Sequence, residues 1–125
     1  VTNLFQRGAA SMTRILEILD AVPSITDPTS PATLPPTTGG RAISFDHVSF
    51  AYPAKGDAPA REILSDISIE VPAGATLGIV GATGSGKSTL LELLPRLWEP
   101  TAGVIRLDGV DIRDLPLDVL RAEIG

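Results

Sequence analysis

One stretch decides the fold of this 125-residue chain: Gly81-Ala82-Thr83-Gly84-Ser85-Gly86-Lys87-Ser88-Thr89. It matches the pattern of a phosphate-binding loop, in which a glycine and four further residues precede Gly-Lys-Ser/Thr. The apolar run Thr76–Val80 before it predicts a buried strand, and Ser88–Leu94 after it predicts the start of a helix. Because a phosphate-binding loop joins a strand to a helix, this setting supports the match and predicts an α/β fold.

The residue types of the loop suit a nucleoside triphosphate. Its three glycines lack a Cβ, which lets backbone N–H groups approach an anion closely, and the helix that follows adds the positive end of its dipole. Lys87 is expected to reach the β- and γ-phosphates, and the Ser88 hydroxyl to hold Mg²⁺. A plain glycine-rich turn would not need this Lys-Ser pair. A dinucleotide-binding loop fits less well, because Thr89 stands where its third glycine belongs.

Composition narrows the class of protein. The net charge is −5, with 10 Lys and Arg against 15 Asp and Glu, which argues against a nucleic-acid partner. The chain has no cysteine, which excludes disulfides and Cys-ligated metal sites and suits a reducing cytosol. Since it shows neither a signal peptide nor an apolar run long enough to span a bilayer, we expect this piece to be soluble.

Composition also divides the chain into three parts. Apolar side chains recur at helical spacing from Thr2 to Asp20, which predicts a helix in residues 1–22. Its polar face is not rich in basic residues, so we expect the stripe to pack on a core or a partner rather than on a membrane surface. Residues 23–40 are rich in Pro, Thr and Ser, which predicts an extended linker with no core of its own. Residues 41–125 contain the loop.

Four further segments of residues 41–125 have recognisable patterns. Ile43–Tyr52 reads as a strand whose alternation slips by one residue at Asp46-His47, which indicates a bulge or a short turn. Ile67–Val71 alternates as a half-buried strand. Asp108-Gly109, between two short apolar runs, predicts a hairpin, and Pro116–Glu123 predicts a short helix.

Several titratable residues are interpreted as structural. His47, the only histidine, is expected on a solvated strand surface. Asp108, Asp111, Asp114 and Asp118 lack the spacing and the glycine of a calcium-binding loop, so we expect solvated acids there.

Taken together, these segments resemble the start of the nucleotide-binding domain of an ATP-binding cassette (ABC) transporter of the exporter type. The resemblance covers residues 41–125 almost throughout. Residues 10–20 are similar to the segment that leaves the last membrane helix in exporters with fused domains. The stretches that carry the resemblance are Ile43–Pro53, Leu64–Ile69, Gly81–Leu91, Pro100–Gly103 and Leu107–Gly109.

The resemblance implies part of a P-loop NTPase core with an antiparallel β subdomain, preceded by the connecting helix and the Pro-rich linker. Residues 41–125 would be the incomplete N-terminal part of that domain. ATP and Mg²⁺ are the implied ligands, with Tyr52 stacking on the adenine ring and Lys87 as the catalytic residue. The alternative for Tyr52 is a half-buried strand residue. The expected nucleotide-binding residues are Tyr52, Gly81, Ala82, Thr83, Gly84, Ser85, Gly86, Lys87, Ser88 and Thr89.

The implied partners are a second nucleotide-binding domain and the transmembrane domain of the same transporter, at the cytoplasmic face of the membrane. The family carries further motifs that this chain lacks: a glutamine loop, a Leu-Ser-Gly-Gly-Gln signature, an Asp that orients Mg²⁺, a catalytic Glu and a switch His. Without a base or a water-positioning group, the loop and Lys87 can only position phosphates. We therefore expect a piece of an ATPase that drives export, and expect the piece itself to bind ATP without turnover.

Two other interpretations stay open. One is a truncated, non-catalytic module that binds a nucleotide or a partner. The other is an unrelated kinase or GTPase. Kinases usually carry the loop after their first strand, whereas two strands and a linker precede it here. GTPases need Asn/Thr-Lys-x-Asp after the loop, and the only other lysine lies before it, in Ala54-Lys55-Gly56-Asp57.

Overall fold

A computed structural model describes residues 12–54 and 60–124 of the chain. Residues 12–19 form helix α1. The remaining elements are β1 Ile43–Ala51, β2 Glu62–Val71, α2 Lys87–Leu93, β3 Ala102–Leu107, β4 Val110–Asp111, a 3₁₀ turn Ile112–Asp114 and α3 Leu117–Ile124. The four strands form one antiparallel sheet in the order β2-β1-β3-β4. The α/β class and the antiparallel β subdomain are confirmed.

Strand β1 contains a bulge, and apolar residues before and after the bulge both face the core. Phe45, Val48 and Phe50 are all buried. Since successive side chains of a strand face opposite sides, Phe45 and Val48 can share a face only with an extra residue between them. The backbone supplies it at His47, whose φ is 51°, and the pairing with β2 shifts register between Phe45 and Val48. The irregularity predicted at Asp46-His47 is confirmed.

The predicted hairpin is also confirmed, and it joins β3 to β4. Asp108 and Gly109 both have positive φ, 49° and 82°, as a tight two-residue turn between antiparallel strands requires.

The bulge in β1 also requires a glycine at position 103 of β3. Gly103 has φ 82°, and a Cβ there would overlap the carbonyl oxygen of His47. The bulge in β1 and the glycine in β3 are therefore one feature.

The core joins the sheet to α2, the 3₁₀ turn and α3 in one cluster. On α2, Leu90 and Leu93 are three residues apart and both buried, whereas Leu91 is 55% exposed. Each fully buried Leu, Val or Phe contributes roughly 1.5–3 kcal/mol to folding. The buried apolar residues are Phe45, Val48, Phe50, Leu64, Leu90, Leu93, Ile105, Leu107, Ile112, Leu115 and Leu120.

The segment before the loop is not a buried strand, so that prediction for Thr76–Val80 is wrong. Its backbone has no regular secondary structure, and Val80 is 93% exposed. Leu77 and Ile79 line an open apolar groove of about 300 Å³ against α2. The reason is hydrogen bonding. A strand needs a neighbouring strand to pair with, and no strand within residues 12–54 and 60–124 pairs with Thr76–Val80.

The connecting helix forms where it is described, but its apolar stripe is uncovered. Met12, Ile15, Leu16 and Leu19 are between 48% and 73% exposed. Of the two predicted surfaces, a core or a partner, the core of this chain is wrong for these four residues. Helical periodicity predicts that an apolar face is covered, but it does not say what covers it. The stripe residues Leu4, Phe5 and Ala9 lie outside the described residues. None of the helices in the described ranges has both the length and the hydropathy needed to cross a membrane.

The predicted linker, residues 23–40, has no regular helix or strand and is attached to the domain by hydrogen bonds. Asp27 Oδ1 accepts the Leu117 N–H at 2.8 Å, at the first residue of α3. The Ala32 N–H donates to the Asp114 carbonyl at 2.7 Å. Ala32 and Leu34 pack against the hydrophobic core. The linker therefore covers part of the core.

Candidate nucleotide-binding site

The loop ends at a glycine that no other residue can replace without strain. Gly86 precedes α2 with φ 91° and ψ 4°, in the left-handed region. A Cβ there would lie 2.9 Å from Leu64 Cδ2 and 3.3 Å from the Ile63 carbonyl oxygen. Its backbone therefore packs directly on β2. Since glycine has no side chain, no side-chain hydrogen bond caps the N–H groups in the first turn of α2.

The Lys87 ammonium lies inside the loop and is held by it. Nζ donates to the carbonyl oxygens of Gly81 and Ala82, each at 2.8 Å, and to Ser85 Oγ at 3.3 Å. These acceptors are neutral, so they bind an ammonium less strongly than a phosphate oxygen does. The four-carbon stem of lysine can carry the charge from one set of acceptors to another. Ser88, the next residue, is exposed.

Tyr52 lies beside the loop, although 28 residues separate it from Gly81 in sequence. Its phenol oxygen lies 3.1 Å from Thr89 Oγ1 and 3.2 Å from Glu92 Oε2. The ring borders an open cavity of about 260 Å³ together with the end of the loop and the start of α2. The residues that line this cavity are Tyr52, Ile63, Gly84, Gly86, Lys87, Ser88 and Thr89. Five of the predicted nucleotide-binding residues besides Tyr52 are thus brought together with it.

Four predicted residues of the loop lie outside the lining of this cavity: Gly81, Ala82, Thr83 and Ser85. They are exposed. Gly81, Ala82 and Ser85 contribute through the acceptors that hold Lys87.

An aromatic cluster surrounds Tyr52. Its ring meets Phe50 at 4.9 Å between centroids and Trp98 at 5.2 Å, with interplanar angles of 83° and 89°. Such edge-to-face contacts are favourable for aromatic pairs. Trp98 also contacts Phe50, with centroids 6.1 Å apart. The sequence alone does not identify Trp98 or Glu92 as neighbours of this site, because each contacts Tyr52 across 40 or more positions of sequence.

Three of the other titratable candidates, His47, Asp108 and Asp111, lie in ion pairs. His47 Nδ1 is 2.6 Å from Asp66 Oδ1, and this hydrogen bond raises the pKa of the exposed imidazole. The position of His47 on a solvated strand surface is confirmed. Asp108 pairs with Arg41 and Asp111 with Arg113. Within residues 12–54 and 60–124, no group of three or more His, Cys, Asp or Glu side chains could hold a metal ion.

Comparisons with known proteins agree on one family. A family profile described as "ABC transporter" matches residues 64–125. The chain is 45% identical over 125 residues to an ATP-dependent lipid A-core flippase of Chromobacterium violaceum, covering all of this chain and 20% of that protein. It is 42% identical over 123 residues to a multidrug efflux ATP-binding/permease protein of Mycobacterium bovis, covering 98% of this chain and 10% of that protein.

A solved structure shows the same fold. The structure of a bacterial Atm1-family ABC exporter with ATP bound matches with a TM-score of 0.71 and 36% sequence identity, over 94% of this chain and 19% of that chain. The chain thus spans between 10% and 20% of the length of these three proteins.

Proposed function

Since the chain belongs to the ABC transporter family, we propose that it is the ATP-binding part of an exporter in which ATP binding and hydrolysis drive a substrate across a membrane. The observation that carries the proposal is the position of the Lys87 ammonium, held inside a glycine-rich loop that shares a cavity with Tyr52. A cation and an aromatic ring at one cavity suit the two ends of ATP, the triphosphate and the base.

When the phosphates bind, the Lys87 ammonium exchanges its hydrogen-bond acceptors. The ammonium of Lys87 leaves the carbonyl oxygens of Gly81 and Ala82 for phosphate oxygens, because the charged acceptor forms the stronger hydrogen bond. The N–H groups of the loop and of the first turn of α2 add further donors. Gly84 and Gly86 have positive φ, 82° and 91°, a conformation that glycine adopts without strain and that the backbone of the loop uses at these two positions.

Mg²⁺ suits the donor set of this site. The ion prefers oxygen ligands, keeps several waters, and is commonly bound through one or two protein oxygens plus phosphate oxygens. The exposed Ser88 hydroxyl, next to Lys87 at the start of α2, supplies one such oxygen. When bound with the triphosphate, the ion neutralises part of its charge.

Adenine is assigned to Tyr52. Tyr52 is half-buried and lines the cavity, and the flat surface of a tyrosine ring can stack on a base. Because every base has such a surface, stacking contributes affinity and little discrimination between adenine and guanine. The preference for ATP in this proposal therefore rests on the family.

Hydrolysis needs groups from elsewhere in the transporter. Of the described residues that line the cavity, none carries a carboxylate or an imidazole that could activate water. The residues of this chain bind and orient the nucleotide, and the base comes from the rest of the parent protein or from a second nucleotide-binding domain. The exposed apolar stripe of α1 offers a surface for the transmembrane domain. The cytoplasmic location in this proposal rests on the family.

The test is ATP hydrolysis by the parent protein carrying Lys87→Ala, with Lys55→Ala as the control because these are the chain's two lysines. Removing a cation that stabilises phosphate charge lowers the rate by roughly 10²–10³-fold, whereas the control keeps the wild-type rate. Wild-type turnover in Lys87→Ala would overturn the proposal. A parent that binds ATP through Lys87 without turning it over would instead support the non-catalytic binding module.

A further inference from the structure

We infer that Glu92 is a positioning residue for the nucleotide base, acting through Tyr52. This inference rests on the proposed function, because it concerns the ring assigned to adenine. The Glu92 carboxylate lies 3.2 Å from the phenol oxygen of Tyr52, and Thr89 Oγ1 lies 3.1 Å from the same atom. Glu92 belongs to neither the loop nor the lining of the cavity.

The direction of these hydrogen bonds follows from the protons available. An ionised carboxylate only accepts, so the single phenol proton of Tyr52 goes to Glu92. The phenol oxygen can then only accept from Thr89, whose hydroxyl donates. The result is a chain of two bonds that runs from Thr89 through Tyr52 to Glu92. Each bond polarises the next, which strengthens both.

Four contacts then hold the Tyr52 side chain in one orientation. Its hydroxyl end is bound to Thr89 and Glu92, which are three residues apart and therefore lie on the same side of α2. Its ring meets Phe50 and Trp98 at nearly right angles. The Tyr52 side chain is already ordered before a base binds. Base binding therefore does not have to offset the conformational entropy of ordering it.

This arrangement predicts a selective effect on affinity. Ordering one side chain on binding costs affinity of about three- to tenfold. Glu92→Ala frees the hydroxyl end of Tyr52, so it weakens ATP binding by that factor. Inorganic tripolyphosphate touches only the phosphate part of the site, so its affinity stays at the wild-type value. Glu92→Gln keeps a carbonyl oxygen that accepts the phenol proton and therefore restores most of the ATP affinity.

The experiment is calorimetric titration of the parent protein with ATP and with inorganic tripolyphosphate. The control is Glu17→Ala, which removes an exposed carboxylate from helix α1. A double-mutant cycle with Tyr52→Phe tests whether Glu92 acts through the Tyr52 hydroxyl, since Phe keeps the ring and lacks the hydroxyl. We expect Glu92→Ala to have no further effect on ATP affinity once Tyr52 is Phe.

Each outcome separates the inference from the proposed function. Wild-type ATP affinity in Glu92→Ala overturns the inference and leaves the proposed function standing. An equal loss for ATP and tripolyphosphate also overturns it, because Glu92 would then act on the loop. Additive effects of Glu92→Ala and Tyr52→Phe would show that Glu92 does not act through the phenol. If the wild-type parent binds neither ligand, both the inference and the proposed function fall.

Discussion

The Arg41 guanidinium donates to both carboxylate oxygens of Glu123, each at 3.0 Å, across 82 positions of sequence. The same guanidinium donates to Asp108 Oδ2 at 2.7 Å and to the Pro35 carbonyl at 2.6 Å. Asp108 also accepts the Ala42 N–H at 2.8 Å. One side chain therefore joins the end of the linker to the β3–β4 hairpin and to α3.

This network predicts loss of stability in acid. Hydrogen bonds from Arg41 lower the pKa of Glu123 and of Asp108. Because both folded-state pKa values lie below the unfolded ones, the contribution is present above the unfolded values of about 4 and is lost as pH falls through the folded values. We expect Arg41→Gln to lower Tm between pH 5 and 7, and the difference from wild type to shrink as pH falls below about 4.

Arg61→Gln is the matched control, since Arg61 is exposed and carries the same charge. Thermal unfolding of wild type and both variants from pH 7 to pH 3 provides the comparison. A Tm difference for Arg41→Gln that is as large at pH 3 as at pH 7 would contradict the ionic role of this network.

Gly86→Ala is predicted to damage the site through the backbone. The left-handed conformation costs a residue with a Cβ about 1–2 kcal/mol, and the added Cβ also meets Leu64 Cδ2 at 2.9 Å. We expect lower stability in denaturant titration together with weaker nucleotide binding. Gly39→Ala is the control, because a Cβ on Gly39 meets nothing within 4 Å. Equal stability of the two variants would show that the backbone at Gly86 is not constrained.

Tyr52→Ala is predicted to weaken ATP and GTP alike. Loss of one base-stacking contact corresponds to roughly 1–3 kcal/mol, or about 5- to 150-fold in affinity. Tyr52→Phe keeps the ring, so its loss is smaller. Titration of the parent protein with both nucleotides measures these changes. If Tyr52→Ala weakens ATP and leaves GTP unchanged, the ring recognises adenine by more than stacking.

Features set by neighbouring residues could be predicted from the sequence. The bulge at His47 follows from the parity of apolar positions along β1, and the hairpin at Asp108-Gly109 follows from two residues that tolerate positive φ. Helix α3 follows from its own periodicity. The pattern of the loop is visible in the sequence, because the chemistry of phosphate binding dictates its residue types.

Features set by distant partners could not be predicted in this way. The apolar run Thr76–Val80 has the composition of a buried strand, but a strand forms only beside another one. The attachment of the linker depends on Asp27 meeting the start of α3, 90 positions further along. Likewise, Glu92 and Trp98 contact Tyr52 across 40 or more positions of sequence, and no local pattern indicates such a contact.

The most direct test of the account asks which residues the adenine ring contacts. The parent protein is irradiated with 8-azido-ATP, digested with trypsin and analysed by mass spectrometry. The account predicts a label in the peptide from Ala42 to Lys55, which contains Tyr52, and loss of that label with excess ATP or in Tyr52→Ala. Labelling that ATP prevents, but that lies elsewhere and persists in Tyr52→Ala, would contradict an ATP site formed by Tyr52 and the loop.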